Sequence, residues 1–78
     1  MRFRWFKKVL RDFGIEWDEE IGKGSHGAFI GLTYHTRILH VHVLPRSKQT
    51  DVQRKYLNPL RRQSELTADD GVSDILFT

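Results

Sequence analysis

The run Lys23-Gly24-Ser25-His26 gathers groups that can act on a phosphate. An imidazole, with an unperturbed pKa of about 6.5, can move a proton near neutral pH. Lys23 adds positive charge. Gly24 lets the backbone approach a ligand closely, and the amides around Gly24 and Ser25 can hold a phosphate oxygen. An RNA phosphodiester brings its own nucleophile, the 2′-hydroxyl. A site acting on it needs a proton acceptor or donor and charge stabilisation, and little else. His26 is therefore the candidate general acid or base, and Lys23, Gly24 and Ser25 the candidate phosphate-binding turn. On spacing alone, an ordinary turn followed by a surface histidine is the favoured reading.

His40 and His42, two residues apart, share one face if the segment is a strand. Neutral imidazoles can bind zinc, and His26 lies within reach across a sheet. The chain has no cysteine, and no carboxylate is obviously placed with them. Surface histidines that touch RNA or a protein partner are the plainer reading, so no metal and no cofactor is expected. His35, in a connection between strands, is expected to face solvent.

Arg46 and Lys48, just after the expected end of a strand, are the best placed basic residues for a nucleic-acid backbone. Arg54, Lys55, Arg61 and Arg62 extend the track or form a solvated helix face. Trp5 and Trp17 are assigned to the core. Tyr34, at a loop tip, is free to stack on a base.

The elements that must position these groups follow from periodicity. Phe6, Val9, Leu10 and Phe13 fall at helical spacing, and Gly14 sits where a helix cap belongs. Residues 15–21 nearly alternate apolar and charged, which fits a half-buried strand. Residues 22–25 read as a turn and 26–32 as a second strand, weakened by Gly27 and Gly31. Thr33–Thr36 connects it to a third strand over residues 37–44, ended by Pro45. Counting aliphatic side chains puts Leu39, Val41 and Val43 toward the helices and His40 and His42 on the open face. A basic loop over residues 46–49 leads to a helix capped by Thr50 or Asp51 and carrying Val52, Tyr56 and Leu60. Asn58-Pro59 is expected to break or kink it. Thr67-Ala68-Asp69-Asp70 resembles a capping box. Val72, Ile75 or Phe77 is expected to pack back on the body.

Size and charge agree with this. Seventy-eight residues make one α+β domain with a modest core. The absence of cysteine favours a reducing compartment, and no apolar window approaches the length of a membrane span. A cytoplasmic protein is expected. Residues 1–62 hold all 13 basic residues and six of the ten acidic ones, a balance of +7; residues 63–78 hold the other four, a balance of −4. A basic body suits a polyanion, and equally a solubilising surface.

A helix ending in glycine, a strand, Lys23-Gly24-Ser25-His26 with Phe29 three residues on, two more strands ending in Val43-Leu44-Pro45, and a final helix together resemble the HicA (YcfA-like) family of bacterial toxins. The resemblance covers roughly residues 3–66. It implies a fold like a double-stranded-RNA-binding domain, helix–three-stranded antiparallel sheet–helix (α-β-β-β-α), with residues 66–78 as an acidic C-terminal extension. It implies a metal-independent endoribonuclease that cleaves mRNA, the toxin of a toxin–antitoxin pair, neutralised by a HicB-like antitoxin. It assigns catalysis to His26, with Gly24 and Ser25 as the supporting turn. Arg46-Ser47-Lys48 stands where many members carry a histidine, and Asn58-Pro59-Leu60 where many carry Gly-Thr-Leu. A non-catalytic RNA-binding or protein-interaction module of the same fold is the alternative.

Overall fold

The computed structural model describes residues 1–21, 26–45 and 50–78. The element order is α1 (Phe3–Asp12), β1 (Glu16–Asp18), β2 (His26–Leu32), β3 (Leu39–Pro45) and α2 (Arg54–Gln63), followed by two short 3₁₀ turns, Ala68–Asp70 and Asp74–Phe77. The strands form one antiparallel sheet in the order β1-β2-β3. The chain is thus a small α+β domain. Its expected segments over 22–25 and 46–49, and with them Lys23, Gly24, Ser25, Arg46 and Lys48, lie outside the described residues.

α1 forms because Phe3, Phe6, Val9 and Leu10 make one apolar stripe, all of it buried. It stops at Gly14, whose φ of +81° suits glycine. The Gly14 amide bonds the Arg11 carbonyl and the Ile15 amide bonds the Leu10 carbonyl, the Schellman pairing, with Ile15 and Leu10 both buried beside it. Trp5 falls off the stripe and is exposed, contrary to its core assignment.

The sheet register decides which residues the helices cover. Phe29 pairs with His42, Gly31 with His40 and Gly27 with Leu44. Phe29 meets Phe3 and Phe6 of α1 at ring-centroid distances of 6.1 and 5.3 Å, so this face lies under the helices. Leu44 is 1% exposed beside it. The opposite face carries His26, Ala28, Ile30, Leu32, Leu39, Val41 and Val43. This reverses the expected orientation of β3: His40 and His42 are half-buried under the helices, while Leu39, Val41 and Val43 are exposed. The reason lies in β2. Its helix-facing residues are Gly27, Phe29 and Gly31, and the two glycines make room. A Cβ on Gly27 would meet the Trp17 ring at 2.2 Å, and one on Gly31 would meet the Gly14 carbonyl oxygen at 2.7 Å. The α1–β1 connection and the indole therefore press on the sheet at these points. Trp17 stacks edge-on against Phe29 and Phe3, with centroids 4.8 and 5.0 Å away.

α2 runs unbroken from Arg54 to Gln63 with Pro59 inside it. The expected break is absent. Pro59 lies in the second turn, so its missing N–H deprives only the carbonyl of Lys55, an exposed first-turn residue. Val52 precedes the helix and is buried. The helix ends on Ser64, and Glu65 takes the left-handed position with φ of +62°. The Leu66 amide bonds the Arg61 carbonyl at 2.7 Å, closing the same kind of C-terminal motif without a glycine.

The acidic C-terminal stretch is part of the body. Leu66, Val72 and Phe77 are buried in the main core, whereas Ile75 is exposed. The Asp70 carboxylate accepts from the Thr67 amide at 3.0 Å and from its hydroxyl at 2.8 Å, the capping arrangement read from the sequence. Arg61 anchors this stretch. Its Nε donates to the Leu66 carbonyl, its Nη2 reaches Asp74 at 2.8 Å, and its guanidinium lies 4.1 Å from the centre of the Phe77 ring. Only 8% exposed, Arg61 is not part of a basic track.

Candidate nucleic-acid site

His26 is the first residue of β2 and half-buried. It lies on the face that no described helix covers, opposite Pro45, the last residue of β3. The pairing places His26, which follows Ser25 in the chain, at the same end of the sheet as Pro45, which precedes Arg46. His26 thus stands on a paired strand, with the candidate phosphate-binding segment joined to it in the chain and the basic segment joined to its register partner. The nearest apolar neighbours on its face are Ala28 on its own strand and Val43 one register step away.

The other histidines are elsewhere. His40 and His42 lie on the helix side, with ring centroids 6.0 Å apart. His42 Nδ1 lies 3.2 Å from the Gln63 side-chain oxygen. Burial lowers the His42 pKa; the Gln63 contact opposes the shift, and the charge on His40 adds to it. His40 Nε2 is buried without a hydrogen-bond partner among the described residues. Neither ring is presented to RNA from the open face, so that expectation is corrected. Nor can they join His26, because the sheet stands between them. Among the described residues no group of three or more His, Asp or Glu side chains is gathered as a metal would require.

His35 is exposed, and its role is structural. Its Nε2 lies 2.7 Å from the Asp70 carbonyl oxygen, and its amide donates to Glu65 Oε1 at 2.9 Å. The same carboxylate oxygen accepts from the Thr36 amide and hydroxyl at 2.8 and 3.0 Å. These bonds, the Thr36 amide first, lower the Glu65 pKa. Glu65 therefore clamps the β2–β3 connection to the end of α2. Tyr34 packs edge-on against Phe13 at 5.2 Å, so its ring is already engaged on one side.

A basic cleft missed in the sequence lies at the β1 edge. Arg4, Lys7, Lys8 and Arg11 of α1 line a shallow depression of about 460 Å³ with Glu16 and Trp17 of β1. Four cations face one carboxylate there, a surface suited to a polyanion backbone. The signal is in the opening residues: Arg4, Lys7, Lys8 and Arg11 recur at helical spacing. Arg54, Lys55 and Arg62 on α2 are exposed.

Comparison with family models, curated proteins and solved structures returned no match. No helix among the described residues is long and apolar enough to cross a membrane.

Proposed function

We propose that this chain is an RNA-directed domain of the HicA kind, a metal-independent endoribonuclease in which His26 moves the proton at the scissile phosphodiester. The observation that carries the reading is the placement of His26: at the start of β2, on the face that no described helix covers, at the end of the sheet that leads in the chain to Lys23-Gly24-Ser25 on one side and Arg46-Ser47-Lys48 on the other. The α-β-β-β-α order supports a fold like a double-stranded-RNA-binding domain. In the proposed reaction, His26 takes the proton of the 2′-hydroxyl or gives one to the departing 5′-oxygen. Lys23 and the turn amides stabilise the charge on the phosphate. A single histidine contributes about 10²–10⁴-fold, which describes a slow enzyme. Such an enzyme is toxic when its targets are essential messages, and a HicB-like antitoxin with acidic groups over the basic surface would restrain it.

The second reading is a binding module without catalysis, and the α1 cleft favours it: its four cations offer a polyanion a seat that includes no histidine. Labelled RNA incubated with the purified protein, with and without chelator, separates the two. Cleavage that survives the chelator and disappears in His26→Ala supports the enzyme. RNA bound by both proteins and cut by neither leaves the binding module.

A further inference from the structure

We infer that β3 is a self-pairing edge, and that two copies of this chain join β3 to β3 antiparallel across a two-fold axis at Val41, making one continuous six-stranded sheet. The inference is independent of the histidine chemistry. β3 is the outer strand of the sheet, and no described element pairs with its outer edge. Such edges are ordinarily guarded by charge, by bulges or by short length. The other edge is: β1 is three residues long and two of them are Glu16 and Asp18. β3 has seven residues, and between Ile38 and Pro45 there is no acidic or basic residue apart from the two histidines.

The order of residues along this strand matches itself when reversed. About Val41 lie His40 and His42, then Leu39 and Val43, then Ile38 and Leu44. A two-fold antiparallel pairing centred there sets Val41 against Val41 of the second copy, Leu39 against Val43, and His40 against His42. Every position meets a residue of its own chemical kind, as an isologous interface requires.

The backbone phase agrees. The Thr33 amide bonds the Ile38 carbonyl at 2.9 Å, which continues the β2–β3 register by one step. In an antiparallel ladder, hydrogen-bonded pairs alternate, so Ile38, His40, His42 and Leu44 point their backbone groups at β2. Leu39, Val41 and Val43 then point theirs outward. Val41 is thus available to exchange two hydrogen bonds with itself across the axis, and the Leu39–Val43 pairs on either side exchange the rest. These same three residues carry the exposed aliphatic side chains, at 66, 46 and 47%. Pairing lays the three aliphatic side chains of each copy against those of the other.

The test measures mass and register on the whole chain. Sedimentation across a wide concentration range is expected to show a monomer–dimer equilibrium. Val41→Lys sets two like charges across the axis and is expected to raise the dimer dissociation constant about tenfold or more, with an unchanged circular dichroism spectrum. L39K/V43E, which sets opposite charges across each flanking pair, is expected to keep the dimer. Register is read by cysteines, since the chain has none of its own. A hydrogen-bonded antiparallel pair brings Cα atoms to about 5.5 Å, within disulfide reach. V41C is expected to cross-link to itself on mild oxidation; L39C alone is not, but L39C mixed with V43C is. A wild-type chain that stays monomeric at every concentration overturns the inference. So does an L39C chain that cross-links to itself as readily as V41C, or a Val41→Lys chain that remains dimeric.

Discussion

His26 and His42 stand on opposite faces of one sheet. His26 is paired with Pro45 on the side that no described helix covers, while His42 is paired with Phe29 under the helices and reaches Gln63. This separation sets the histidines apart. His26 stands on the face that no described helix covers, whereas His42 is packed between the sheet and α2, with His40 beside it on the same face.

Gly27 and Trp17 lie close together on the helix side of the sheet. A methyl group at residue 27 would lie 2.2 Å from the indole ring, so the ring must move off the sheet. Gly27→Ala is expected to cost about 1–3 kcal/mol of stability. Chemical denaturation checks it, and Trp17 fluorescence reports the displaced ring directly. Trp5, exposed on α1, supplies a constant background.

Glu65 holds a backbone conformation unusual for its type, with φ of +62°, while its carboxylate binds the amides of His35 and Thr36. Two substitutions separate these effects. Glu65→Gln keeps the backbone cost and weakens the clamp, so its melting temperature is expected to fall. Glu65→Gly relieves the backbone but removes the clamp. Hydrogen exchange at the His35 and Thr36 amides is expected to speed up in both variants, more so in Glu65→Gly.

Stability is expected to depend on pH in two steps. The His42 pKa is lowered in the fold, so between its folded value and its ordinary 6.5 the unfolded chain binds the extra proton. Stability is therefore full above pH 6.5 and declines as the pH falls below it. Glu65 and Asp70 also have lowered pKa values, through hydrogen bonds from Thr36 and Thr67 first of all. Their contribution is present above the ordinary carboxylate range and is lost as acid takes the pH through their folded values. Melting temperatures across the range check this. His42→Gln is expected to flatten the first decline and leave the second.

Much of the fold was legible because local chemistry and tertiary packing agreed. The stripe from Phe6 to Leu10 and the Gly14 cap mark α1, and the span of β2 follows from its residues. The orientation of β3 was not legible, because both of its faces carry aliphatic residues. Counting favoured Leu39, Val41 and Val43, but the choice was made by Phe29 on the neighbouring strand, through a register that no residue of β3 announces. The helix through Pro59 and the burial of Arg61 have other origins: Pro59 is tolerated because the carbonyl it leaves unpaired lies in an exposed first turn, and Arg61 is drawn inward by Leu66, Asp74 and Phe77 of the C-terminal stretch. The position of His26 needed only its own strand. The α1 cleft needed β1 to lie beside the helix, which its cations alone do not reveal.

If the α1 cleft carries part of an RNA backbone, its cations contribute to the salt dependence of binding. Arg4→Gln and Arg11→Gln keep good helix formers on α1 while removing charge. Each is expected to reduce the slope of log affinity against log salt by about 0.7 for a single strand. Filter binding over a salt series measures it, with no change expected in the cleavage rate of RNA already bound.

The role of His26 is read by single-turnover cleavage of bound RNA with the wild type and His26→Ala. With protein in excess, affinity drops out and only the chemical step is read. The variant is expected to bind RNA as the wild type does and to cleave it about 10²–10⁴-fold more slowly. A variant that cleaves at the wild-type rate, or a wild type that binds RNA and leaves it intact, contradicts it.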